Sequence, residues 1–251
     1  MASATVTWVG HATVLVEVDG VRILTDPALT SRMVHLRRRR PAPELGHIDA
    51  VLVSHVHMDH LHLRSMQRLG HVPRLVVPAG AEPLVASVGA GAVQAVRPGD
   101  ELEVAAGVSV EVVHAEHGCR RGPHSKVVAQ PVGYVIRIGA ARIYFAGDTD
   151  LFAAMRDLGP IDVALLPIWG WGPSLGEKHL DPLSAATATH WISPDRVVPI
   201  HWGTYSPIHP RRGDPPWLER PLDSFRTSLS DEGIAHRLLA VEPGGSFTVD
   251  T

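Results

Sequence analysis

Short apolar runs recur along the chain and predict a series of β-strands. The runs are rich in valine, leucine and isoleucine, and glycine or proline separates many of them. They cover Thr5–Trp8, Thr13–Val18, Val21–Leu24, Ala50–Ser54, Arg74–Val77, Val108–Val113, Gly133–Ile138, Arg142–Phe145, Val163–Leu166 and Arg196–Ile200. The pair Asp19-Gly20 between the second and third runs is typical of a tight hairpin turn. The chain is therefore predicted to open with antiparallel strands.

Between these strands, apolar residues recur at three- or four-residue spacing, which predicts helices. These segments are Leu61–Leu69, Glu82–Val88, Leu151–Leu158, Pro182–Ile192 and Leu222–Gly233. Alternating strands and helices indicate the α/β class, and the antiparallel start indicates mixed sheets. The stretch Ser206–Pro216, rich in proline, predicts a loop. No shift in composition indicates a linker, so residues 1–251 are predicted to form one domain.

The composition excludes several classes of protein. Of the 251 residues, 45% are hydrophobic, which is enough for a sizeable core and argues against disorder. The formal net charge of −3 provides no basic field for nucleic acid. The apolar runs are too short to span a bilayer, and Met1–Val18 lacks the layout of a signal peptide. We therefore expect a cytoplasmic protein with no membrane span and no nucleic-acid partner.

The histidine and cysteine content points to a metal site. The chain has 16 His, more than its 4 Phe, 3 Tyr and 6 Trp together, and imidazole is the commonest metal ligand in proteins. Its single cysteine, Cys119, excludes an intrachain disulfide framework and a zinc site built mainly from thiolates. Any metal site is thus predicted to consist of imidazole and carboxylate ligands.

One motif, Ser54-His55-Val56-His57-Met58-Asp59-His60, directly follows an apolar strand. Open α/β sheets bind ligands at the carboxyl ends of their strands. In an extended segment His55 and His57 point the same way, and the turn into the next helix brings Asp59 and His60 round. A single tetrahedral ion seldom takes four ligands so close in sequence, so two neighbouring ions fit the motif better. The two histidines nearer the strand then serve one ion, and Asp59 and His60 serve the other.

Further candidate ligands lie at the ends of later strands. His114 and His117 both follow the predicted strand at residues 108–113, and spacing alone does not decide between them. Asp148 follows the strand at residues 142–145, and His201 follows the strand at residues 196–200. Strand ends that carry His, Asp and His are what a two-metal site requires, with one carboxylate between the ions.

These motifs, in kind and order, resemble the metallo-β-lactamase superfamily of αββα-sandwich hydrolases. Within it the chain is similar to the branch that holds N-acylphosphatidylethanolamine-hydrolysing phospholipase D and the ascorbate-phosphate lactonases. The stretches that carry this similarity are Thr7-Trp8-Val9-Gly10-His11-Ala12-Thr13, Leu24-Thr25-Asp26-Pro27, Ala115-Glu116-His117-Gly118-Cys119-Arg120-Arg121, His179-Leu180-Asp181-Pro182 and Ile200-His201-Trp202-Gly203-Thr204. The resemblance implies an αββα sandwich with mixed sheets.

The resemblance also implies a ligand set and a cofactor. It assigns His55, His57 and His117 to one ion, Asp59, His60 and His201 to the other, and Asp148 to a position between them. It thereby prefers His117 to His114. Two divalent ions are expected, with zinc favoured and manganese or iron as alternatives, because the ligands are imidazoles and carboxylates rather than thiolates.

The activity implied by the resemblance is metal-dependent hydrolysis by a metal-bridging hydroxide. The expected substrate is a small molecule with a phosphodiester or a cyclic ester, and Asp59 and His179 are the expected catalytic residues. Gly118 stands where the phospholipase has an aromatic residue, which disfavours an N-acyl phospholipid. The alternatives are a metal-stabilised binding protein without turnover and a nuclease. The oligomeric state is left open.

Residues next to the motifs have predicted supporting roles. His11 and Asp26 are expected to orient the ligating imidazoles. Trp169 and Trp171 are expected to pack rather than to recognise substrate, and Cys119 is expected to be a small buried apolar residue.

Two groups of arginines, Arg37–Arg40 and the pair Arg120 and Arg121, are candidates for binding an anionic substrate. Guanidinium groups form paired hydrogen bonds with phosphate oxygens. The sequence therefore predicts that the substrate is anionic, most simply phosphorylated.

Overall fold

The computed structural model describes residues 3–122, 124–170, 172–208 and 215–251. Its strands are β1 (Ser3–Gly10), β2 (Thr13–Val18), β3 (Val21–Thr25), β4 (Arg32–Met33), β5 (Leu36–Arg38), β6 (Ala50–Leu52), β7 (Val72–Pro78), β8 (Ala90–Val96), β9 (Glu101–Ala105), β10 (Val108–His114), β11 (Val132–Ile138), β12 (Ala141–Phe145), β13 (Val163–Pro167), β14 (Arg196–Ile200), β15 (Tyr205–Pro207) and β16 (Ser246–Asp250). The α-helices are α1 (Leu63–Leu69), α2 (Glu82–Val85), α3 (Pro182–Ile192) and α4 (Arg220–Asp231). Short 3-10 helices cover Ala153–Asp157, Pro216–Leu218 and Ala235–Arg237.

Most strands belong to two sheets. The first has seven strands in the order β16-β1-β2-β3-β6-β7-β8, and the second has six in the order β14-β13-β12-β11-β10-β9. Each sheet combines antiparallel hairpins with a parallel part, β3-β6-β7-β8 in the first and β12-β13-β14 in the second. The predicted mixed sheets are therefore confirmed. The turn at Asp19 and Gly20 has positive φ at both residues, 47° and 83°, as a tight hairpin requires.

The residues of β6 show how the layers pack. Ala50 and Leu52 belong to the apolar core shared by the two sheets, whereas Val51 belongs to a second core on the outer face of the first sheet. This alternation follows from the two-residue period of a strand. A strand that is apolar at every position is thus covered on both faces.

Helices cover the outer faces of both sheets. Met66 of α1 and Val85 of α2 pack into the outer core of the first sheet, while α3 and α4 supply residues such as Ala185 and Phe225 to the core of the second. Helix α3 begins at Pro182 because Asp181 accepts a hydrogen bond from the Ser184 backbone N–H. The layer order is the predicted αββα sandwich. None of the described helices is long and apolar enough to cross a membrane.

Three of the predicted elements differ from the structure by more than a shift of about two residues at their ends. The segment Leu151–Leu158 contains only the 3-10 helix Ala153–Asp157, because Phe152 is extended and Gly159-Pro160 follows, which leaves too few residues to nucleate an α-helix. The predicted helix at residues 82–88 ends at Val85. Within the predicted loop Ser206–Pro216, the first two residues belong to β15, and residues 209–214 lie outside the described residues.

Candidate metal centre

Both sheets contribute to one cluster of histidines and aspartates at the carboxyl ends of their strands. The loop after β6 carries His55, His57, Asp59 and His60. The second sheet supplies the other members, which follow β10, β12 and β14 and are His117, Asp148 and His201. Residues far apart in sequence meet because these strand ends face the same cleft between the sheets.

Three histidines form the first part of the cluster, which we call the three-histidine group. Nδ1 of His57 lies 3.0 Å from Nε2 of His55 and 3.0 Å from Nε2 of His117. Two imidazole nitrogens bound to one tetrahedral zinc ion at 2.0–2.1 Å lie about 3.3 Å apart. The spacing of the three nitrogens is therefore close to that of ligands around a single ion.

Asp59, His60 and His201 form the second part, which we call the mixed group. Nε2 of His60 lies 3.0 Å from Nε2 of His201, and Oδ2 of Asp59 lies 3.5 and 3.6 Å from these two nitrogens. His60 and His201 are almost completely buried, with relative exposures of 0% and 1%. The mixed group is thus the deeper part of the cluster.

Asp148 lies between the two groups. Its Oδ2 is 3.1 Å from Nε2 of His60 and 4.0 Å from Nε2 of both His55 and His117. Its Oδ1 is 3.3 Å from Nε2 of His201 and, although buried, has no hydrogen-bond partner among the described residues. A buried carboxylate oxygen without a partner is costly unless a cation balances it.

Gly147 allows Asp148 to reach this position. It has a φ of 62°, and a Cβ atom at this residue would lie 2.5 Å from Cβ of Ser54. Any larger residue would push the Asp148 loop away from the loop after β6. Glycine is therefore required where the two halves of the site touch.

Hydrogen bonds behind the cluster fix the orientation of three imidazoles. Nδ1 of His117 donates to the Lys178 carbonyl at 2.7 Å, and Nδ1 of His201 donates to the Trp169 carbonyl at 2.9 Å. Nδ1 of His60 donates to the Asp26 carboxylate at 2.7 Å. Because Nδ1 carries the proton in each ring, Nε2 presents a lone pair to the cluster. The close lone pairs of His60 and His201 repel each other unless a proton or a metal ion lies between them, so the residues present fit a bound metal ion.

Two further side chains hold the mixed group: Asp26 orients an imidazole as predicted, whereas His11 bonds to the carboxylate of Asp59 instead of an imidazole. Asp26 also accepts hydrogen bonds from the backbone N–H and hydroxyl of Ser54, and His11 Nε2 donates to Oδ2 of Asp59 at 2.9 Å. His11, Asp26 and His201 all have positive φ, at 57°, 32° and 65°. This backbone conformation is uncommon for residues other than glycine. All three residues belong to the site or contact it, so the strained backbone is concentrated at the site.

Burial and charge shift the pKa values of the cluster in directions that favour a cation. Burial lowers the pKa of His117 to about 4, so its imidazole is neutral at pH 7. Burial acts to raise the pKa of Asp148, but His201 and His60 together lower it well below its usual value. The pKa of His60 moves the other way: burial acts to lower it, but the carboxylates of Asp148, Asp59 and Asp26 raise it well above its usual value. The carboxylates thus favour a positive charge at the centre of the cluster, which a divalent ion would supply in place of a proton.

His179 lies beside the cluster at the edge of a cavity of about 460 Å³. Its Nε2 is 3.5 Å from Oδ2 of Asp148, and its Nδ1 donates to the Glu177 carbonyl at 2.9 Å. Burial acts to lower its pKa, but the interaction with Asp148 raises it above the ordinary value. Other residues that line the cavity include His57, Met58, Asp59 and Arg121.

Several candidate residues lie outside the cluster. His114 is half-buried at the end of β10 and lies 3.4 Å from the carboxylate of Glu116, so of the two candidate histidines in this segment the structure brings only His117 to the site. Trp169 packs against the core as predicted, while Trp171 lies outside the described residues. Cys119 is half-buried rather than fully buried.

The arginines are divided between different roles. Arg38 is buried, and its guanidinium donates to the carbonyls of Val9 and Ala28, so it packs within the protein instead of binding substrate. It is buried because Leu36 and Arg38 occupy the same face of β5. Arg39 pairs with Glu219. None of Arg37–Arg40 lines the cavity beside the cluster, so the structure does not bring these candidates to the site.

Several groups that shape the site were missed by the sequence analysis. They include the main-chain carbonyls of Trp169 and Lys178 and the hydroxyl of Thr204, which accepts a hydrogen bond from the His11 backbone N–H. A carbonyl is present at every residue, so no sequence signal distinguishes these two. The side chain of Ser54 directly precedes the histidine motif, and that position is the one signal for its role.

Comparison with known proteins identifies the family. Residues 21–202 match the Beta-lactamase superfamily domain. The chain is 32% identical over 256 residues to a UPF0173 metal-dependent hydrolase of Methanopyrus kandleri, with 96% of this chain and 98% of the relative covered. The structure of Igni18, a metallo hydrolase of Ignicoccus hospitalis, matches with a TM-score of 0.74 and 26% identity and covers 99% of both chains.

A third relative is similar over a smaller share of its length. It is an N-acyl-phosphatidylethanolamine-hydrolyzing phospholipase D of Caenorhabditis elegans, 30% identical over 226 residues, with 79% of this chain and 64% of the relative covered. The predicted resemblance is thus confirmed. The family match and the full-length similarity to the archaeal hydrolases show that the chain belongs to the metallo-β-lactamase superfamily and is a metal-dependent hydrolase.

Proposed function

We propose that the cluster binds two divalent cations and that the protein hydrolyses a small anionic substrate, either a phosphodiester or a cyclic ester. The observation that carries this proposal is the position of Asp148. Its Oδ2 faces both the three-histidine group and the mixed group, and its buried Oδ1 has no hydrogen-bond partner among the described residues. One carboxylate that serves two sets of ligands is typical of a two-metal site.

In this proposal each group holds one ion. The three-histidine group supplies His55, His57 and His117, and the mixed group supplies Asp59, His60 and His201. When bound, the two cations polarise the scissile group, lower the pKa of water and stabilise developing negative charge. Zinc is the favoured metal, with manganese or iron as alternatives, because no thiolate takes part.

His179 and Asp59 are the proposed catalytic side chains. Nδ1 of His179 is bonded to a main-chain carbonyl, so proton exchange takes place at Nε2, which faces Asp148 at the cavity edge. A raised pKa keeps a proton available there at neutral pH. His179 then donates this proton to the leaving group. Asp59, held by His11, lines the same cavity and orients the attacking water.

The size of the cavity supports a small substrate. Its volume of about 460 Å³ lies within the usual range for small-molecule sites. The walls combine Met58 and Leu175 with polar groups from His57, His179 and Arg121. This lining suits a molecule with one anionic and one apolar part.

The test of this proposal measures metal content and hydrolysis together. The protein is purified without chelator, reconstituted with zinc or manganese, and assayed with an aryl phosphodiester, an aryl ester and a lactone. We expect about two ions per chain and hydrolysis that a chelator abolishes. Two bound ions without hydrolysis of any substrate indicate the binding-protein alternative. A ratio that stays near zero after reconstitution contradicts the proposal.

A further inference from the structure

We propose that Arg121 determines specificity by binding the anionic group of the substrate with one edge of its guanidinium, while the opposite nitrogen holds the metal-ligand loop. This inference rests on the proposed function, because it assigns the residue that selects the charge of the substrate in the same cavity. Arg121 is half-buried and lines that cavity beside His57 and Asp59.

The first observation is how Arg121 is held. Its Nη1 donates to the carbonyl of Val56 at 3.0 Å and to the carbonyl of Leu61 at 3.1 Å. These two residues enclose His57, Asp59 and His60 in sequence. Because both hydrogens of Nη1 have acceptors, the plane of the guanidinium is fixed before any ligand arrives.

The second observation is that one edge of the Arg121 guanidinium keeps its hydrogen-bond donors available for a ligand. The Nε and Nη2 groups of Arg121 make no hydrogen bond with the described residues. Their N–H bonds run parallel on one side of the guanidinium, in the geometry that binds two oxygens of a phosphate or carboxylate. A fixed donor pair loses little side-chain entropy on binding, so its orientation favours an anion.

The third observation is the charge around the cavity. Among the described residues that line it, Arg121 is the only arginine or lysine. Burial lowers the pKa of Arg121, but an arginine starts so high that the group stays charged at pH 7. The position of the anion-binding edge is therefore set by this one residue.

Arg120 provides a matched comparison in the same segment. Its side chain is exposed, donates to the carbonyl of Ser125 at 3.2 Å and does not line the cavity. Substitution at Arg120 therefore removes a positive charge of the same kind one residue away without changing the proposed donor edge.

The experiment compares Arg121→Lys, Arg121→Ala and Arg120→Ala in the metal-loaded protein. Inorganic phosphate is the probe, titrated by calorimetry, and metal content is measured on each sample. We expect Arg121→Lys to weaken phosphate binding about tenfold, or about 1.4 kcal/mol, because lysine keeps the charge but has no paired donors. Arg120→Ala is expected to bind phosphate as the unchanged protein does.

Kinetics with a matched substrate pair separates specificity from structure. With an aryl phosphodiester as substrate, we expect Arg121→Lys to raise KM about tenfold. With the aryl ester that has the same leaving group, we expect the same variant to change KM less than about twofold. Equal losses on both substrates in Arg121→Lys and Arg121→Ala, accompanied by loss of metal, show that Arg121 only holds the loop and overturn the inference.

Other outcomes also decide the question. Unchanged phosphate affinity in Arg121→Lys overturns the inference and assigns the phosphate to the metal ions alone. Equal weakening in Arg120→Ala overturns it as well, since surface charge then explains the effect. If the protein hydrolyses no substrate, the proposed function fails but the phosphate titration still decides whether Arg121 binds an anion.

Discussion

The two ligand groups of the cluster differ in their burial and in the hydrogen-bond partners that orient their imidazoles. In the three-histidine group, His117 is oriented by a main-chain carbonyl, and His57 is half-buried at the edge of the cavity. In the mixed group, His60 is buried and is oriented by the carboxylate of Asp26. A carboxylate behind an imidazole raises its basicity as a ligand more than a neutral carbonyl does. His201 of the mixed group is oriented by a main-chain carbonyl, as His117 is, so the difference between the groups lies at His60. If each group holds one ion as proposed, we expect the mixed group to hold its ion more tightly.

The loss of Asp148 has the largest expected effect, because it removes the element that the two groups share. Asp148→Ala is expected to release both ions and to lower kcat/KM by about a thousandfold or more, equal to about 4 kcal/mol of transition-state stabilisation. Metal analysis and steady-state kinetics measure both. Full retention of two ions by this variant would show that the groups bind independently.

Low pH is expected to weaken the metal-free protein through the neutral imidazoles. The unfolded chain takes up a proton at His117 below about pH 6.5, whereas the folded chain does so only below about pH 4. The unfolded state thus binds more protons between these values, and the free energy of unfolding falls as the pH falls from 6.5 to 4. This residue alone accounts for about 3 kcal/mol.

Chelator-treated protein, unfolded with urea at a series of pH values, provides the measurement. His117→Gln is the informative variant, because glutamine does not titrate and the slope between pH 6.5 and 4 becomes shallower. A slope that is unchanged in this variant contradicts the assignment of a buried neutral imidazole.

Substitution of Asp26 tests whether the hydrogen bond from His60 to this carboxylate determines which metal ion is released last. Asp26→Asn is expected to lower the affinity of the mixed group for its ion by about 10- to 100-fold. A graded chelator titration then no longer shows two separate steps of metal release. The control is Asp162→Asn, since Asp162 also accepts a backbone hydrogen bond, from Arg142, but is not part of the cluster. If Asp26→Asn still releases its metal in two separate steps, the expected difference in affinity between the mixed group and the three-histidine group is wrong.

The smallest effects are expected at His114 and Cys119. His114→Ala and Cys119→Ala are expected to retain both ions and to change kcat/KM by less than about threefold, because neither side chain belongs to the clusters of potential ligands. Loss of metal in His114→Ala, with retention in His117→Ala, reverses the assignment of the histidine after β10.

Local patterns in the sequence predict much of this fold. The strands with many β-branched residues, such as β2 and β10, stand out because valine and threonine occupy more than half of their positions. Strand β8 consists mainly of alanine, valine and glycine, and β16 forms only by pairing with β1 at the other end of the chain. Weak residue preference hides β8, and local sequence does not contain the long-range pairing of β16, so these two strands are among those that the sequence analysis missed.

In the candidate site, too, the residues that lie together in sequence were predictable, and the long-range contacts were not. The motif from His55 to His60 is predictable because its members are adjacent in sequence and follow one strand. The choice of His117 over His114 came from the family resemblance, because both follow β10 within a few residues. The roles of Arg38 and Arg121 depend on which carbonyls surround each guanidinium, and only the three-dimensional structure contains that information.

The positive φ angles at His11, Asp26 and His201 also bear on how this protein responds to selection. Each such residue costs about 1 kcal/mol relative to glycine, a cost that exists whether or not the protein is active. Glycine would relieve this strain, but it would also remove a buried, hydrogen-bonded imidazole, and an emptied buried position costs more than about 1 kcal/mol. We therefore expect His11→Gly and His201→Gly to be depleted even from a library screened for heat resistance alone. Sequencing such a pool measures whether packing, and not only chemistry, retains these two strained residues.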